Sequence, residues 1–217
     1  MADYATQRFN MVEAQVRTND VQDPRIHHAM SAVARERFVP ANKRAMAYAD
    51  VPVEIAPGRF LLDARSFAKM LELASVLGTD RVLDVACGTG YSSVVIARIA
   101  KSVIALEQDA DLVRVASDMI PANGGANVTV VQGGLTEGFK ARAPYGVIFI
   151  NGAVETVPET LTAQLAEGGR LVAVEKPDAQ GHAVLYVREH GGIGRRIGFD
   201  AQVPVLAGFR KVVGFVF

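Results

Sequence analysis

Two acids and a pair of glycines have the spacing of a nucleoside-binding site. Asp84 interrupts an apolar run, and Gly88 and Gly90 follow it before a helical pattern begins at Tyr91. A strand that turns through glycines into a helix brings backbone N–H groups close to a ligand at the helix N-terminus. Glu107 ends a second apolar run 23 residues after Asp84. A carboxylate at that place can accept hydrogen bonds from both ribose hydroxyls of a nucleoside.

The glycine loop fits a dinucleotide site poorly, because neither alignment of its glycines completes the G-x-G-x-x-G pattern. The segment Asp84-x-Ala86-x-Gly88-x-Gly90 instead resembles motif I of class I S-adenosylmethionine methyltransferases. That motif normally has glycine where this chain has Ala86. The plain alternative is a strand, turn and helix that bind no ligand, and the acid at Glu107 favours the nucleoside site over it.

The amino-acid composition argues against several classes of function. Lys and Arg together number 23, as do Asp and Glu, and half of the residues are hydrophobic. Balanced charge argues against a nucleic-acid or membrane surface built on bulk charge. Cys87 is the only cysteine, which excludes an intramolecular disulfide. With no metal-ligand spacing, no charge-free membrane span and no signal-like N-terminus, we expect a cytoplasmic protein without a metal.

The elements that must position these residues follow from the apolar periodicity. Strands are predicted at 81–86, 102–107, 127–132, 145–151 and 170–175, and helices between them at 91–100, 109–120 and 157–166. This alternation indicates a parallel sheet with helices on both faces. The β-rich runs 183–188, 195–199 and 212–217 have no helix between them, which predicts antiparallel strands at one sheet edge.

The region before the alternation has a different character. Helices are predicted at 4–17, 24–34 and 63–77, with loops and short strands over 35–62. We therefore expect a helical N-terminal extension and substrate-side segment over 1–78. Residues 79–217 would then form the cofactor-binding domain.

Several longer segments resemble one enzyme family. Met11-Val12-Glu13, Asp23-Pro24-Arg25, the run from Val33 to Pro40 and Ala47-Tyr48-Ala49-Asp50 look like the N-terminal region of protein-L-isoaspartate O-methyltransferases. Residues 82–91 resemble the cofactor loop of that family, and residues 164–172 resemble the segment that leads into its fifth strand. The resemblance covers nearly all of residues 8–175.

The resemblance implies both a fold and an activity. The fold is an α/β, Rossmann-like class I methyltransferase sheet, mostly parallel, with a helical N-terminal extension and antiparallel C-terminal strands. The activity is methyl transfer from S-adenosylmethionine to the free carboxylate of an isoaspartyl residue in a protein or peptide. The alternative partner is a small-molecule substrate. A carboxylate is ionised at pH 7 and needs no general base, so we assign no catalytic residue.

The residue pattern and the resemblance together give a candidate site. We expect cofactor contacts at Asp84, Ala86, Gly88, Gly90, Tyr91, Glu107, Gly134 and Leu135, and substrate contacts at Leu62, Asp63, Asn151 and Pro204. Asn151 ends the strand predicted at 145–151, where it faces a ligand or caps a turn.

Four positions depart from the family pattern. Leu62 replaces a hydroxyl residue, and Asp63 replaces a neutral one. Gly134 replaces an Asp that meets the adenine amino group, and Gly146 replaces a second Asp. The Asp63 charge would repel a substrate carboxylate, unless Asp63 only caps the helix that begins there. We therefore predict weak or absent isoaspartyl methylation.

These departures leave two other functions open. One is a diverged methyltransferase with another substrate, in which Asp63 is a base or a cation anchor. The other is a non-catalytic binding module of the same fold. Affinity for S-adenosylmethionine separates the binding module from both enzymes.

Overall fold

The computed structural model describes residues 3–210, and a mostly parallel sheet runs through its centre. The strands are β1 (Val53–Ala56), β2 (Arg59–Leu61), β3 (Arg81–Val85), β4 (Ser102–Glu107), β5 (Val128–Gln132), β6 (Tyr145–Val154), β7 (Leu165–Glu175), β8 (His182–Glu189) and β9 (Gly192–Asp200). The first two form a separate antiparallel hairpin, and the other seven lie in the order β5-β4-β3-β6-β7-β8-β9. Neighbouring strands from β5 to β7 in this order pair in parallel, and β8 and β9 extend the sheet with antiparallel pairs. The predicted fold class is confirmed.

Helices precede the large sheet and connect its parallel strands. They are α1 (Tyr4–Met11), α2 (Pro24–Ala32), α3 (Ala64–Ala74), α4 (Tyr91–Ala97), α5 (Ala110–Ala122) and α6 (Glu159–Thr162). The first continues without a break through a π-helical turn, Val12–Val16, and a 3-10 turn, Arg17–Asn19. Asp23 caps α2 and Pro24 is its first residue, as the sequence predicts. Further 3-10 turns lie at Arg35–Phe38, Ala41–Met46 and Lys140–Arg142.

The register of the parallel strands brings the two predicted acids to one edge. Val85 pairs with Leu106, so the ends of β3 and β4 lie side by side. Asp84 and Glu107 therefore stand at the carboxyl edge of the sheet, and both are fully buried. Ligands of open α/β sheets bind at this edge.

One predicted helix is wrong for most of its length. The helix predicted over 157–166 is only Glu159–Thr162, because the chain pairs with β6 from Leu165 onward. The Gln164 side-chain amide donates to the carbonyls of Glu137 and Thr160, at 2.8 Å each. The strand β7 therefore begins five residues before the predicted strand at 170–175, and Gly168 and Gly169 lie inside an irregular stretch of it. The strand predicted at 212–217 lies outside the described residues.

One hydrophobic core joins the N-terminal helices to the sheet. Met11, Met30 and Phe67 belong to the same buried cluster as Val94 and Phe149. The domain boundary at residue 78 remains a prediction, since the core continues across it. Within residues 3–210, none of the helices has the length and apolarity needed to cross a bilayer.

Candidate active site

Glu107 is the centre of the carboxyl edge, and the backbone fixes its orientation. Its Oε1 accepts from the backbone N–H of Gln108 at 2.8 Å and of Asp109 at 3.1 Å. Its Oε2 accepts from the N–H of Gly88 at 3.0 Å. The glycine loop and the end of β4 therefore hold the carboxylate from two sides, in the relation that the sequence predicts for a ribose-binding acid.

Sequence reasoning missed the main partner of this acid, which is Arg59. The guanidinium donates from Nη1 to Glu107 Oε1 and from Nη2 to Oε2, both at 2.6 Å. Both side chains are at least nine-tenths buried. Bidentate guanidinium–carboxylate pairs of this kind are among the strongest charge-assisted hydrogen bonds. The only available signal was a lone cation in the apolar stretch 51–62.

The β1–β2 hairpin delivers Arg59 to the site. Its register pairs Glu54 with Phe60 and Ala56 with Arg59, which leaves Ile55 as an extra, bulged residue. Bulges redirect side chains at sheet edges. Here Ile55 lies over the loop, since a Cβ built on Gly88 would be 2.5 Å from its Cδ1. The hairpin thus covers Gly88 with Ile55 and Glu107 with Arg59.

Asp84 lies deeper, in a cluster of hydroxyl and amide donors. Its Oδ2 accepts from Ser92 Oγ at 2.7 Å and Ser93 Oγ at 2.5 Å, and its Oδ1 accepts from Asn151 Nδ2 at 2.5 Å. Burial raises the pKa of the Asp84 carboxyl to about 6, although these hydrogen bonds act to lower it. The cluster connects β3, α4 and β6 beneath the loop.

The loop between β3 and α4 has left-handed backbone at three alternate residues. Ala86 has a φ of +62°, Gly88 of +59° and Gly90 of +95°. A Cβ at Gly90 would lie 2.5 Å from Ile120 Cγ1, so glycine also allows α4 to approach α5. The change from glycine to Ala86 therefore places a side chain where the backbone favours none.

The thiol of Cys87 is inert in this loop. Its side chain is buried, and burial raises the pKa of the thiol well above its usual range. A protonated, enclosed thiol is a poor nucleophile. Cys87 is therefore a small filler of the loop.

Tyr91 faces the N-terminal segment instead of the carboxyl edge. Its ring lies 5.7 Å from the rings of Phe38 and Phe67, and the Arg35 guanidinium lies 5.0 Å from its centroid. Arg35 also donates to the carbonyls of Ala47 at 2.6 Å and of Leu62 at 2.5 Å. Tyr91 therefore packs the 3-10 turn Arg35–Phe38 and α3 against α4.

Leu62 and Asp63 form the junction between the hairpin and α3. The Leu62 side chain is buried, and its carbonyl is the acceptor for Arg35. Asp63 is the N-cap of α3, and its Oδ1 accepts from the N–H of Ser66 at 2.7 Å. The geometry agrees with the capping interpretation of Asp63.

Asn151 and Pro204 lie on neighbouring segments at the carboxyl end of β6. Asn151 Nδ2 donates to the Val85 carbonyl at 3.2 Å as well as to Asp84, so its amide joins β6 to β3. The Pro204 carbonyl accepts from the N–H of Ala153 at 2.9 Å. The structure brings both residues to the edge that holds Asp84.

Gly134 and Leu135 follow β5 at the same edge. Leu135 is buried, and a Cβ at Gly134 would lie 3.2 Å from Glu137 Cδ. Glu137 therefore places an exposed carboxylate beside the position where the family has Asp, a feature that sequence reasoning missed. Gly146 lies at the opposite end of the sheet, where Asp80 Oδ1 fills the space of a Cβ. The acid missing at 146 therefore does not bear on the site.

The described part of the chain, 3–210, contains no cluster of three or more His, Cys, Asp or Glu side chains arranged for a metal ion. The polar side chains around the buried carboxylates of Asp84 and Glu107 are instead a guanidinium, an amide and two hydroxyls. Such groups suit recognition of a polar organic ligand.

Comparison with known proteins gives one family. The family profile described as protein-L-isoaspartate(D-aspartate) O-methyltransferase matches residues 6–197. A Koribacter versatilis protein named protein-L-isoaspartate O-methyltransferase is 36% identical over 198 residues, covering 91% of this chain and 88% of the relative. A Methanoculleus marisnigri protein of the same name is 33% identical over 187 residues, covering 86% and 85%.

Solved structures share the fold. A Plasmodium falciparum protein described as a protein-L-isoaspartate O-methyltransferase, in complex with S-adenosyl-L-homocysteine, superposes with a TM-score of 0.79 at 22% identity. The superposition covers 92% of this chain and 97% of that one. Another protein-L-isoaspartate O-methyltransferase gives a TM-score of 0.81 at 24% identity, covering 93% of this chain and 66% of its own.

Proposed function

The chain belongs to the protein-L-isoaspartate(D-aspartate) O-methyltransferase family, and from that premise we propose that it transfers a methyl group from S-adenosylmethionine to a carboxylate of a protein or peptide. The observation that carries the proposal is the orientation of Glu107. Three backbone N–H groups aim its carboxylate across the glycine loop. A ribose diol needs an acceptor in this place.

The residues at the edge fit S-adenosylmethionine once Arg59 has left Glu107. Glu107 would then hold the ribose, and the loop from Ala86 to Gly90 would lie against the rest of the cofactor. Asp84 would act through the loop, since its own oxygens are engaged by Ser92, Ser93 and Asn151. When bound, the cofactor supplies an electrophilic methyl group on a sulfonium ion.

The methyl transfer itself requires no catalytic base from the protein. An ionised substrate carboxylate needs no base, so the chain has to place it in line with the methyl group and exclude water. Pro204, whose carbonyl accepts from Ala153 near the end of β6, would line the approach. Asp63 is engaged as a helix cap, which does not support a role for it as a base.

We propose a protein or peptide as the partner and the cytoplasm as the location. The names of the relatives support the partner, and the single cysteine of the chain is consistent with a reducing compartment. Balanced charge gives no support to a nucleic-acid partner.

A methyl-transfer assay on an isoaspartyl peptide, beside its normal aspartyl twin, tests the proposal. We expect slow transfer to the isoaspartyl peptide only, because Leu62 offers no hydroxyl to its carboxylate. Glu107→Ala should weaken cofactor binding by about 1.5–3 kcal/mol, the scale of hydrogen bonds to a charged group. Absence of cofactor binding at millimolar concentration, in wild type and in an Arg59 variant alike, would refute the proposal that this chain is a methyltransferase.

A methyl acceptor other than isoaspartate is the second candidate, and Leu62 favours it. A leucine cannot donate the hydrogen bond that a hydroxyl residue would give to a substrate carboxylate. Equal and negligible transfer to both peptides, together with measurable cofactor affinity, would support this candidate.

We further propose that Glu137 replaces the missing acid at Gly134 in reading adenine. Its carboxylate can accept from the adenine amino group, which hypoxanthine lacks. Wild type should bind S-adenosylhomocysteine several-fold more tightly than its inosine analogue, and Glu137→Gln should reduce this preference. The exposed Glu159→Gln is the control. An unchanged preference in Glu137→Gln would assign adenine recognition to backbone contacts near Leu135.

A further inference from the structure

The carboxylate of Glu107 has no acceptor site left for a ribose. It already receives five N–H donors, two from Arg59 and one each from Gly88, Gln108 and Asp109. An ionised carboxylate has about four lone-pair sites. Two ribose hydroxyls can therefore bind Glu107 only if existing donors leave.

Arg59 is the donor that can leave. The other three are backbone groups built into the loop and the end of β4, whereas Arg59 reaches Glu107 through a long side chain from a separate element. Its Nε is buried without a hydrogen-bond partner among the described residues. The guanidinium is thus incompletely satisfied where it lies, and this lowers the cost of releasing it.

The element that carries Arg59 is suited to move. The hairpin consists of a four-residue and a three-residue strand that pair with each other and not with the large sheet. Isolated two-stranded hairpins are marginally stable. Val53 and Leu61 anchor its base in the core, while the hairpin tip, residues 54–60, holds the loop through Ile55 and Arg59.

We propose that Arg59 is an internal competitor of the cofactor, which closes the nucleoside site by pairing with Glu107 until the hairpin tip moves. The inference rests on the proposed function, because the ligand that displaces Arg59 is the nucleoside of S-adenosylmethionine. It makes Arg59 the residue that sets the cofactor affinity of this chain. No covalent step is involved, only the exchange of two guanidinium hydrogen bonds for two hydroxyl hydrogen bonds.

Calorimetry with S-adenosylhomocysteine tests the proposal. Arg59→Gln should bind at least tenfold more tightly than wild type, and Arg59→Lys should lie between them because it keeps the charge but loses the bidentate pair. Arg170→Gln is the matched control, since Arg170 is also largely buried and pairs with Asp80 away from the carboxyl edge. It should bind like wild type.

Hydrogen exchange provides a second readout that needs no variant. Saturating S-adenosylhomocysteine should speed exchange of wild-type amides over 53–61, while it slows exchange over 86–91. Slower exchange in both segments would overturn the proposal, because the hairpin would then close on the ligand.

The outcomes separate this inference from the proposed function. Equal affinity of wild type and Arg59→Gln, or weaker binding by Arg59→Gln, overturns the competition and leaves the methyltransferase intact. Failure of every variant to bind at millimolar ligand overturns both.

Discussion

Asp84 is a buried acid whose environment makes stability depend on pH. Burial raises the pKa of its carboxyl to about 6, from about 4 in an unfolded chain. Between these two values the folded state binds more protons than the unfolded state. The contribution of Asp84 to stability is therefore fully present below about pH 4 and is lost as the pH rises through 6.

Asp84→Asn should remove this pH dependence. From pH 4 to pH 7, the unfolding free energy of the variant should rise relative to wild type by on the order of 2–3 kcal/mol. Urea unfolding of both proteins at several pH values measures the difference. Asp118→Asn, at an exposed acid in the middle of α5, is the control, and its difference from wild type should change much less over this range. A constant difference for Asp84→Asn would contradict the raised pKa.

Ala86 stores backbone strain in the loop. A residue with a Cβ in the left-handed region costs roughly 1–2 kcal/mol of folding free energy. Replacing it by glycine removes this strain, but glycine loses about 0.5–1 kcal/mol more chain entropy on folding. Ala86→Gly should therefore raise the unfolding free energy by about 0.5–1 kcal/mol. Ala68→Gly, at a buried position within α3, should lower it by about 1 kcal/mol through helix propensity and further through the lost methyl packing. Urea titration at pH 7 compares the two, and destabilisation by Ala86→Gly would show that the loop is not strained.

The site was predictable where it follows local pattern. Asp84, Gly88 and Glu107 end strands or begin turns, and parallel pairing brings such positions together. The Arg59 pair was not predictable, because it joins residues 48 positions apart. Local periodicity cannot say which carboxylate an arginine in a hairpin will reach.

At the scale of elements, two substitutions at Asp63 distinguish its role as the cap of α3 from its effect on the substrate. Asp63→Ala removes the cap and should lower the unfolding free energy by about 1 kcal/mol. Asp63→Ser keeps a cap without the charge, so stability should stay near wild type. If charge repulsion limits isoaspartyl methylation, Asp63→Ser should also raise its rate. Equal stability of the alanine and serine variants would argue against the cap.

The boundaries of elements were predictable only where pairing agrees with propensity. The strands β3, β4 and β5 are confirmed within one residue, since each is a short apolar run between clear helices, while α4 ends three residues before its predicted end. The segment 157–166 has helical periodicity, yet pairing of Leu165 with Tyr145 ends α6 after four residues. Long-range pairing of this kind leaves no local signal.

At the scale of the whole molecule, the continuous core predicts one unfolding transition. Met11 and Phe67 share a buried cluster with Phe149, so the described residues 3–78 have no separate core to unfold around. Far-UV circular dichroism and hydrogen exchange of α1 and β3 should give coincident denaturant midpoints. An earlier midpoint for α1 would instead support a boundary near residue 78.

The single thiol gives this chain a built-in kinetic probe. Cys87 precedes Gly88, and Ile55 of the hairpin tip covers Gly88. The Cys87 side chain is buried while the tip lies in this position. With scarce alkylating reagent, the labelling rate follows the fraction of time that the loop is exposed. With excess reagent, it follows the rate of exposure itself. Titrating one reagent against one sulfur atom therefore yields both the equilibrium and the speed of loop exposure, with no label added to the protein.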